Sequence, residues 1–586
     1  MLYHSPTHLT SGPSNWARST LSGLLLVLLL TGCGSDSDNA SSTGQTNPAP
    51  TGTAGAEEDV GERLFVETRF ARAFKLFLDG GGKVNDPLPT GDPVMDETQT
   101  TGQPLPGPFA GMSMNCRACH LVDEQVGVAG GGMRTYADFA RRSPVPQASD
   151  GHVTSPRHAP PLVGASVDRP VGTLFHLDGE FATMEDLVAG TFTDRNFGWM
   201  PGQKAEAIQQ LARVIREDDG KGDLAQEFDG QSYRVLLAGT DPAIPEDFRL
   251  PSDFRINVDS STDEEVFNAV VRLVSAYVTG LEFSQEDEDG VPIRSPFDIF
   301  LEVNKLPPQP DQNELPLDYS RRLRGLVAGL QNPIFVQANP NRSDGKFQFH
   351  DQPFQFGAKE LEGLKIFLSE PQTTTASPEE LAQGKIGNCV RCHAAPHFTD
   401  FKLHNTGVNQ KEYDDLHGAG QFAQLAIPSL SARKAAPQQY LPATHEHPTY
   451  QGPFRSPPSA SNPALTDLGL WNIFANPDMP NPQATIRAIL CEDQPSPCPS
   501  DDVLLPLTIA RFKTLSLRDL GHSAPYMHNG QLDTLDDIVT AYRNSSNAAR
   551  GGTLRNHDPL LLGIALTASD VSPLVAFLHS LNEDYQ

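Results

Sequence analysis

The pattern of hydrophobic and polar positions along the chain predicts helices far more often than strands. Apolar residues recur at helical spacing over 59–78, 205–216, 263–279 and 356–369, so that each stretch has one apolar and one polar face. The strict alternation that is typical of a strand is scarce. The sequence therefore predicts a mainly α-helical protein, whose first globular domain opens with a helix over 59–78.

The N-terminal end contains an apolar run of a different kind. Residues 21–30 read LSGLLLVLLL, too short for the roughly 20 residues that a membrane-spanning helix needs. A run of this length after a polar start is typical of a signal peptide, here residues 1–32. Residues 33–57 are small and polar, and they predict a flexible tether.

The segment Leu30-Thr31-Gly32-Cys33 resembles a bacterial lipobox. This resemblance implies cleavage before Cys33 and acylation of that cysteine, which would serve as a lipid anchor. An ordinary cleaved signal with an incidental cysteine is the alternative. We therefore expect an exported, periplasmic protein that is anchored to a bacterial membrane as a lipoprotein.

Two pentapeptides, C-R-A-C-H at 116–120 and C-V-R-C-H at 389–393, match the pattern C-x-x-C-H. Two thiols one helical turn apart can add to the two vinyl groups of one haem, and the following histidine then lies under the iron. A thioredoxin-like pair or half of a zinc site is the alternative, but no further C-x-x-C completes a Cys₄ zinc site. The sequence therefore predicts two covalently bound haem c groups. Their thioether cysteines and proximal histidines are Cys116, Cys119 and His120 for the first, and Cys389, Cys392 and His393 for the second.

These sites account for most of the seven cysteines in the 586-residue chain. The last two, Cys491 and Cys498, stand close together in a proline-rich stretch. In an exported protein this pair predicts a local disulfide, with free thiols or metal ligands as the alternative. The net charge of −29 argues against a protein that binds nucleic acid, because such proteins carry a basic surface.

A weak internal repeat links the two halves of the chain. FHLDGEFATMEDLV at 175–188 aligns with YMHNGQLDTLDDIV at 526–539, and in both copies a threonine three residues before an acid is typical of a helix N-cap. Two unrelated turns that each start a helix are the alternative. Continued without gaps, the alignment pairs Tyr542 with Thr191. A tyrosine can ligate ferric iron and a threonine is too short, so we expect one capped haem and one haem open to a small ligand.

Several segments resemble the bacterial di-haem cytochrome c peroxidase and MauG family, over most of residues 58–586. They are GERLFVETRFA at 61–71, RHAP at 157–160, HLDG at 176–179, SPFD at 295–298, and the blocks 389–408 and 512–542. The resemblance implies two cytochrome c-like helical domains with one covalent haem each. One haem meets peroxide, and the other receives electrons from a small partner such as a c-type cytochrome or a cupredoxin.

The resemblance also divides the chain. We expect an N-terminal cytochrome c-like domain over 58–230 and a C-terminal cytochrome c-like domain over 376–586. An insertion with inter-domain helices is expected over 231–375. Long loop insertions then account for the length beyond two cytochrome domains.

Residue roles follow from the same resemblance. His120 and His393 correspond to the proximal ligands, and His152 lies where family peroxidases keep a distal histidine that leaves on activation. Tyr542 lies where the distal ligand of the second haem is found. Met527 is the second candidate for that ligand, or it has a structural place in an interface turn.

On the peroxide side the sequence departs from the family. The family's Gln and Glu align with Leu187 and about Phe197. A peroxidase needs an acid or base that moves a proton between the peroxide oxygens. The polar residues nearby that could replace the missing groups are Glu185, Asp194 and Arg195, each of which could instead be a solvated charge.

Two further departures concern the region between the haems, and one motif remains unassigned. The family's Trp aligns with Leu177, so the electron bridge is absent or relocated. The family's calcium-ligating Asn aligns with His158, so a calcium ion between the haems would lack that ligand. The HEH motif at 445–447 could bind a metal, but an exposed loop is the better interpretation.

The sequence leaves three functions open. The favoured one is a peroxidase that reduces hydrogen peroxide to water with electrons from a small redox protein. The second is a MauG-like or oxygenase-like enzyme that oxidises a protein or a large organic substrate. The third is a non-enzymatic electron carrier, which the unequal distal positions Thr191 and Tyr542 argue against.

Overall fold

The computed structural model describes residues 55–91, 97–100, 103–106, 113–116, 119–121, 134–135, 142–146, 148–167, 172–227, 230–283, 294–339, 352–492 and 494–583. The predicted signal peptide, the predicted anchor Cys33 and most of the predicted tether lie outside the described residues. All of the described residues belong to one compact unit, Thr53–Gln586.

Helices dominate the described residues. The first group is Ala56–Phe65 (α1), Arg72–Asp79 (α2), Met184–Thr193 (α3), Lys204–Glu217 (α4), Asp223–Glu227 (α5), Tyr233–Ala238 (α6) and Asp263–Gly280 (α7). The second is Pro296–Val303 (α8), Pro316–Gly329 (α9), Ala358–Leu368 (α10) and Pro378–Gln383 (α11). The third is Val408–His417 (α12), Gln421–Gln424 (α13), Leu430–Ala435 (α14), Pro437–Tyr440 (α15), Gln483–Cys491 (α16) and Asp501–Leu504 (α17). The last two are Leu535–Arg550 (α18) and Val571–His579 (α19).

Strands among the described residues form only short antiparallel pairs. They are Glu97–Thr100 (β1) with Gln103–Pro106 (β2), His120–Leu121 (β3) with Arg134–Thr135 (β4), and Leu403–His404 (β5) with Phe512–Lys513 (β6). The predicted mainly α-helical class is therefore confirmed. None of the described helices combines the length and the apolar character that a bilayer crossing requires.

The first hydrophobic core lies between α1, α3, α4 and α7. Helix α7 buries Val266, Val270 and Val274, one turn apart on one face, and Thr262 caps its start through a capping box with Glu265. This helix falls in the segment that the sequence assigned to an insertion. In the structure it completes the first core, so the predicted boundary at 230 does not separate two cores.

The second core lies between α8, α10, α18 and α19. Its centre is a cluster of aromatic rings, in which Phe398 meets Phe297 at 5.4 Å and Phe367 at 5.8 Å between centroids, edge to face. Residues of α8, α9 and α10 belong to this core, although the sequence placed them in an insertion. The segment 231–375 is thus divided between the two cores.

A third core belongs to residues 408–510, which we call the third lobe. Its short helices, α12 to α17, bury Trp471 together with leucine and isoleucine side chains, and the buried Arg433 donates hydrogen bonds to the carbonyls of Trp471 and Phe474. The structure joins Cys491 and Cys498 in a disulfide with a Cα–Cα distance of 5.5 Å. The sequence did not predict this lobe, because its helices are short and separated by loops rich in proline.

Three of the four predicted helices are confirmed, as α4, α7 and α10. The predicted helix over 59–78 is instead two helices, α1 and α2. Glu67 lies in the break between them, where its carboxylate accepts hydrogen bonds from Arg69 and from the Tyr233 hydroxyl at 2.8 Å. These buried polar contacts favour a turn over a continuous helix.

The internal repeat is also present in the structure. In each copy a backbone bridge closes the turn, between Phe175 and Phe181 and between Tyr526 and Leu532. Inside the turns His176 and Met527 both adopt positive φ. The threonine N-caps are present too, because Asp186 N–H donates to the Thr183 hydroxyl and Asp537 N–H donates to the Thr534 hydroxyl.

Candidate haem sites

The first C-x-x-C-H motif lies in the wall of a cavity of about 840 Å³, which we call the first cavity. The backbone N–H of Cys119 donates to the carbonyl of Cys116 at 3.0 Å, so the two thiols stand one turn apart. Both cysteines are free rather than joined in a disulfide. His120 follows them at the start of β3 and also lines the cavity.

The second motif lies in the wall of a smaller cavity of about 240 Å³, the second cavity. Cys389 opens a 3₁₀ turn, and its carbonyl accepts hydrogen bonds from Cys392 N–H at 3.1 Å and His393 N–H at 2.8 Å. Here too both thiols are free. The predicted arrangement of two thiols followed by a histidine is therefore present at both cavities.

The histidine rings suit metal binding. The Nδ1–H of His393 donates to the Phe398 carbonyl at 2.8 Å, which leaves Nε2 as the nitrogen available for a metal. The Pro160 carbonyl lies near the His120 ring, but His120 Nδ1 is buried without a well-formed hydrogen bond among the described residues. Burial lowers the pKa of both His120 and His393 to about 4, so both rings are neutral at pH 7, the form that binds iron.

Burial also keeps the thiols of both motifs protonated. It raises the pKa of Cys119 and of Cys389 to about 12, and the pKa of Cys116 and Cys392 shifts in the same direction. Buried, protonated thiol pairs beside neutral histidines at the wall of a cavity fit covalent haem at both places. We infer two haem-binding cavities from this donor set.

Tyr542 and Met527 both line the second cavity. Burial and the nearby thiols of Cys392 and Cys389 raise the pKa of Tyr542, which places its phenol close to the haem motif. Tyr542 lies on α18, the helix that follows the second copy of the repeat. The geometry is compatible with Tyr542 as the distal ligand, and Met527 remains the second candidate.

The equivalent helix of the first repeat, α3, has no tyrosine at the corresponding position, although Met184 on this helix lines the first cavity. The Thr191 hydroxyl donates to the Leu187 carbonyl at 2.9 Å and is therefore occupied within its own helix. Leu187 itself and the rings of Phe192 and Phe197 also line the cavity. These apolar side chains form one part of the cavity wall, and the expectation of a haem open to a small ligand stays a prediction.

The predicted acid–base residues His152, Arg195 and Glu185 lie in different surroundings. His152 is exposed but lines the first cavity, and Arg195 holds its loop, with Nε 2.7 Å from Asp150 and Nη2 3.2 Å from the His152 carbonyl. Arg195 thus positions the loop through Nε and Nη2, while it also lines the first cavity and its Nη1 is buried without a hydrogen bond to any described residue. Glu185 is exposed on α3 and does not line the cavity, so the structure removes it from the candidate acids.

Asp194 does line the first cavity, and there it contacts a residue that the sequence did not assign. Its carboxylate lies 3.3 Å from Nε2 of His445, which belongs to the third lobe. The HEH motif was the only signal for His445, and it gave no reason to place that histidine beside α3. The second histidine of the motif, His447, instead contacts Asp478 at 2.7 Å and stacks on Tyr450.

A common wall separates the two cavities. Leu177, His158, Pro160 and Lys513 line both of them, and the Lys513 N–H donates to the Leu177 carbonyl at 2.7 Å. The position that aligns with the family's Trp therefore does lie between the haem sites, where leucine has no aromatic ring. The nearest stacked pair on the second-cavity side is Phe512 with His528, at 3.5 Å between ring centroids.

A buried ion-pair network ties the first cavity to the third lobe. Arg157 contacts Asp467 of the lobe through Nε at 2.6 Å and Nη2 at 2.9 Å, and Nη1 lies 2.6 Å from Asp178. Arg455 of the lobe pairs with Glu180, and it lies 3.2 Å from Asp178. The network fixes the segment between the haem motif and α3 against the lobe.

Two groups of metal-binding side chains occur among the described residues. One is Cys392, Asp400 and His404, and the other is His176, Asp178 and Glu180. The first contains a predicted haem thioether, and the carboxylates of the second are paired with Arg157 and Arg455. Within the described ranges neither group includes His158, the residue that aligns with the family's calcium-ligating Asn.

Sequence comparison gives similarity to curated bacterial proteins. The chain is 30% identical over 203 residues to cytochrome-c peroxidase IdrP2 of Denitromonas iodatirespirans, and 40% identical over 202 residues to IdrP1 of the same organism. The matches cover 35% and 34% of this chain and 38% of each relative. Over about a third of its length, this chain is therefore similar to proteins named cytochrome-c peroxidases. This similarity agrees with the resemblance that the sequence motifs indicate.

The matched part of the chain spans about two fifths of the length of these curated proteins. No protein-family model matches the chain. Among solved structures, it is 16% identical to the di-haem peroxidase BthA of Burkholderia thailandensis, with a TM-score of 0.41 over 92% of this chain and 88% of that chain. A MauG-like protein associated with microbial copper homeostasis gives 16% identity and a TM-score of 0.38, over 90% of both chains.

Proposed function

We propose that the chain is a di-haem c-type peroxidase that reduces hydrogen peroxide to water with electrons from a small redox protein. The observation that carries this function is the pair of cavities, each built around a C-x-x-C-H motif and separated by the common wall that contains Leu177. Two haem sites this close suit electron transfer from one to the other. The similarity to proteins named cytochrome-c peroxidases supports the same reaction class.

The two cavities suit different tasks. The second, of about 240 Å³, contains Tyr542 and Met527 as candidate sixth ligands and fits a haem that stores and transfers electrons. The first, of about 840 Å³, has no tyrosine on α3, although Met184 lines it, and it leaves room for peroxide. We therefore assign peroxide to the first cavity and electron entry to the second.

The chain's own residues bind and orient the groups that react. His120 and His393 offer neutral imidazole nitrogens, and the Phe398 carbonyl fixes the orientation of the His393 ring. Arg195 and Asp150 hold the loop that carries His152 at the edge of the first cavity. When bound, haem supplies the iron that exchanges electrons with peroxide and donor.

Export and anchoring belong to the same proposal. The apolar run at 21–30 and the lipobox-like Cys33 support a lipoprotein on the periplasmic side of a bacterial membrane. There the small partner would be a c-type cytochrome or a cupredoxin. The net charge of −29 would attract a basic donor.

The peroxidase reaction can be tested on the purified full chain matured with haem. We expect hydrogen peroxide to oxidise a reduced small c-type cytochrome rapidly, with two cytochromes oxidised per peroxide. The same mixture without the chain is the control. Donor oxidation no faster than in that control would contradict the proposed function.

Tyr542→Phe is expected to change the second haem site alone. Because phenylalanine lacks the phenol oxygen, one of the two ferric haems should gain a high-spin electron paramagnetic resonance signal. Tyr526→Phe is the matched control, since Tyr526 lines the same cavity but donates its hydroxyl to the Leu520 carbonyl at 2.8 Å. An unchanged spectrum in Tyr542→Phe, with a change in Met527→Leu, would assign the ligand to Met527 instead.

A second function is favoured by one observation. The first cavity is large, and α3 with the turn that follows it contributes the apolar side chains of Leu187, Phe192 and Phe197, which suit a bulky organic substrate or O₂. A MauG-like or oxygenase-like oxidation would then replace peroxide reduction. Lack of donor turnover, together with consumption of such a substrate, would favour this alternative.

A further inference from the structure

The first cavity lacks the family's polar groups at Leu187 and Phe197, yet peroxide reduction requires a proton donor there. We propose that Asp194 is that proton donor and that His445, from the third lobe, positions its carboxyl group. This inference deepens the proposed peroxidase function and rests on it. It gives the third lobe a part in the reaction at the first cavity.

The side chains of Asp194 and His445 both line the first cavity and contact each other there. His445 Nε2 lies 3.3 Å from Asp194 Oδ1 and 3.3 Å from the Thr193 hydroxyl. On the other side of the ring, the Gly202 N–H donates to Nδ1 at 3.3 Å. Because Nδ1 accepts this bond, Nε2 carries the ring proton, which it donates to the Thr193 hydroxyl while Asp194 Oδ1 lies in contact with the same nitrogen.

The position of Asp194 at the end of α3 favours this role. It follows Thr193 directly and precedes Arg195, which is occupied with Asp150. The Asp194 side chain keeps 46% of its surface while it lines the cavity, so it remains accessible to a small molecule there. The His445 side chain is more enclosed, with 24% of its surface exposed, as expected for a group that holds another in place.

The charged groups around Asp194 and His445 influence the pKa of each side chain. Asp194 is influenced by Glu180, Arg455, His176 and Lys204, and His445 by Lys204 and Glu446. Desolvation by the protein around the cavity, reinforced by the charge of Glu180, raises the pKa of Asp194 to about 7, although 46% of its side-chain surface remains exposed. Burial and Lys204 lower the pKa of His445, so the ring stays neutral. Near neutral pH a substantial fraction of Asp194 therefore carries the proton that it would donate.

The proposed step balances within the overall reaction. Hydrogen peroxide, two electrons and two protons give two water molecules, and the electrons come from the small redox protein. When the O–O bond breaks, the Asp194 carboxylic acid gives its proton from Oδ2 to the departing oxygen, which leaves as water. Solvent supplies the second proton and restores the acid, while Oδ1 stays in contact with His445 Nε2.

Asp194→Asn is the first test, made on the full chain with two haems per chain confirmed by their absorbance. We expect peroxide turnover to fall by about 10²- to 10⁴-fold, the usual contribution of acid–base catalysis. Turnover by the unaltered chain should fall as pH rises above about 7, where Asp194 loses its proton. Asp194→Glu should restore part of the rate and the pH dependence, which Asp194→Asn lacks.

His445→Leu is the second test, with His447→Leu as its matched control. Loss of the Nε2–H donor removes a contact that favours the charged carboxylate, so the midpoint of the pH profile should move upward and the rate should fall. His447 lies on the same loop but bonds to Asp478 and does not line the cavity, so its variant should keep the unaltered profile. If both variants change the pH profile and the rate equally, His445 only stabilises the structure of its loop.

A binding measurement separates this inference from the proposed function. Cyanide binds oxidised haem as the anion but arrives mainly as the neutral acid, so its association responds to a nearby proton acceptor. We expect the pH dependence of cyanide association to contain a midpoint near 7 that Asp194→Asn lacks. If the midpoint persists in that variant, Asp194 is not the proton-transfer group. If the unaltered chain binds cyanide in this way but oxidises no donor, the peroxidase function fails while the role of Asp194 stands.

Discussion

Replacement of both Cys389 and Cys392 by serine is expected to reduce the covalently bound haem from two to one per chain. A serine hydroxyl cannot form the thioether bond, and His393 alone holds haem only by coordination. Both thiols lie in the wall of the second cavity, and Cys389 packs against the second core. Because electrons would enter through this site, turnover with peroxide should fall by more than about 100-fold, beyond the loss typical of changes around a metal ligand.

The disulfide offers a matched control for this change. Cys491→Ser with Cys498→Ser also removes two cysteines, but these lie in the third lobe and belong to no C-x-x-C-H motif. That variant should keep two haems per chain. Haem absorbance after alkaline pyridine treatment, divided by protein concentration, gives the ratio for each variant. Two covalent haems in the Cys389 and Cys392 variant would show that the second motif is not a haem site.

Arg157→Met is expected to lower the free energy of unfolding by about 3–5 kcal/mol, the usual result of breaking a buried charge network. Arg157 is buried and contacts both Asp467 and Asp178, which are themselves buried. Methionine replaces much of the volume but leaves two carboxylates without their main cation. Arg455 still lies 3.2 Å from Asp178, but Asp467 loses both of its hydrogen bonds from Arg157.

Urea denaturation followed by circular dichroism measures this loss. Arg213→Met is the matched control, because Arg213 pairs with Glu217 on the surface of α4 with side chains 40% and 49% exposed. An exposed pair of this kind contributes less than about 1 kcal/mol. Similar midpoints for the two variants would contradict a stabilising role for the buried network. If only Arg157→Met lowers the free energy of unfolding, the buried network is a main link between the third lobe and the rest of the chain.

The helices that the sequence predicted correctly are those in which local and long-range interactions agree. Helix α7 has an apolar face and a complete capping box at Thr262 and Glu265, so its bounds follow from nearby residues. The helix predicted over 59–78 was wrong as one element, because Glu67 bonds to Tyr233, a residue far along the chain. No local pattern contains that partner.

The third lobe depends on contacts between distant residues even more strongly than the break at Glu67 does. Its helices have few turns, so their apolar residues give a weak periodic signal. His445 in the HEH motif was interpreted as part of an exposed loop, whereas the fold brings it to the end of α3, with 252 positions between it and Thr193. Asp194 was one of three polar residues that could replace the missing groups, and only the structure separates it from Glu185, which does not line the first cavity.

The sequence by itself determined the chemistry of the two haem motifs, the helical class and the repeat with its threonine caps. Each of these depends on residues within about one or two helical turns, where spacing alone dictates which groups can meet. Only the tertiary structure decided that the two motifs face cavities with a common wall, that α7 completes the first core, and that the third lobe reaches the first cavity. Those contacts join residues hundreds of positions apart, because the packing of apolar faces and buried ion pairs, rather than sequence spacing, brings them together.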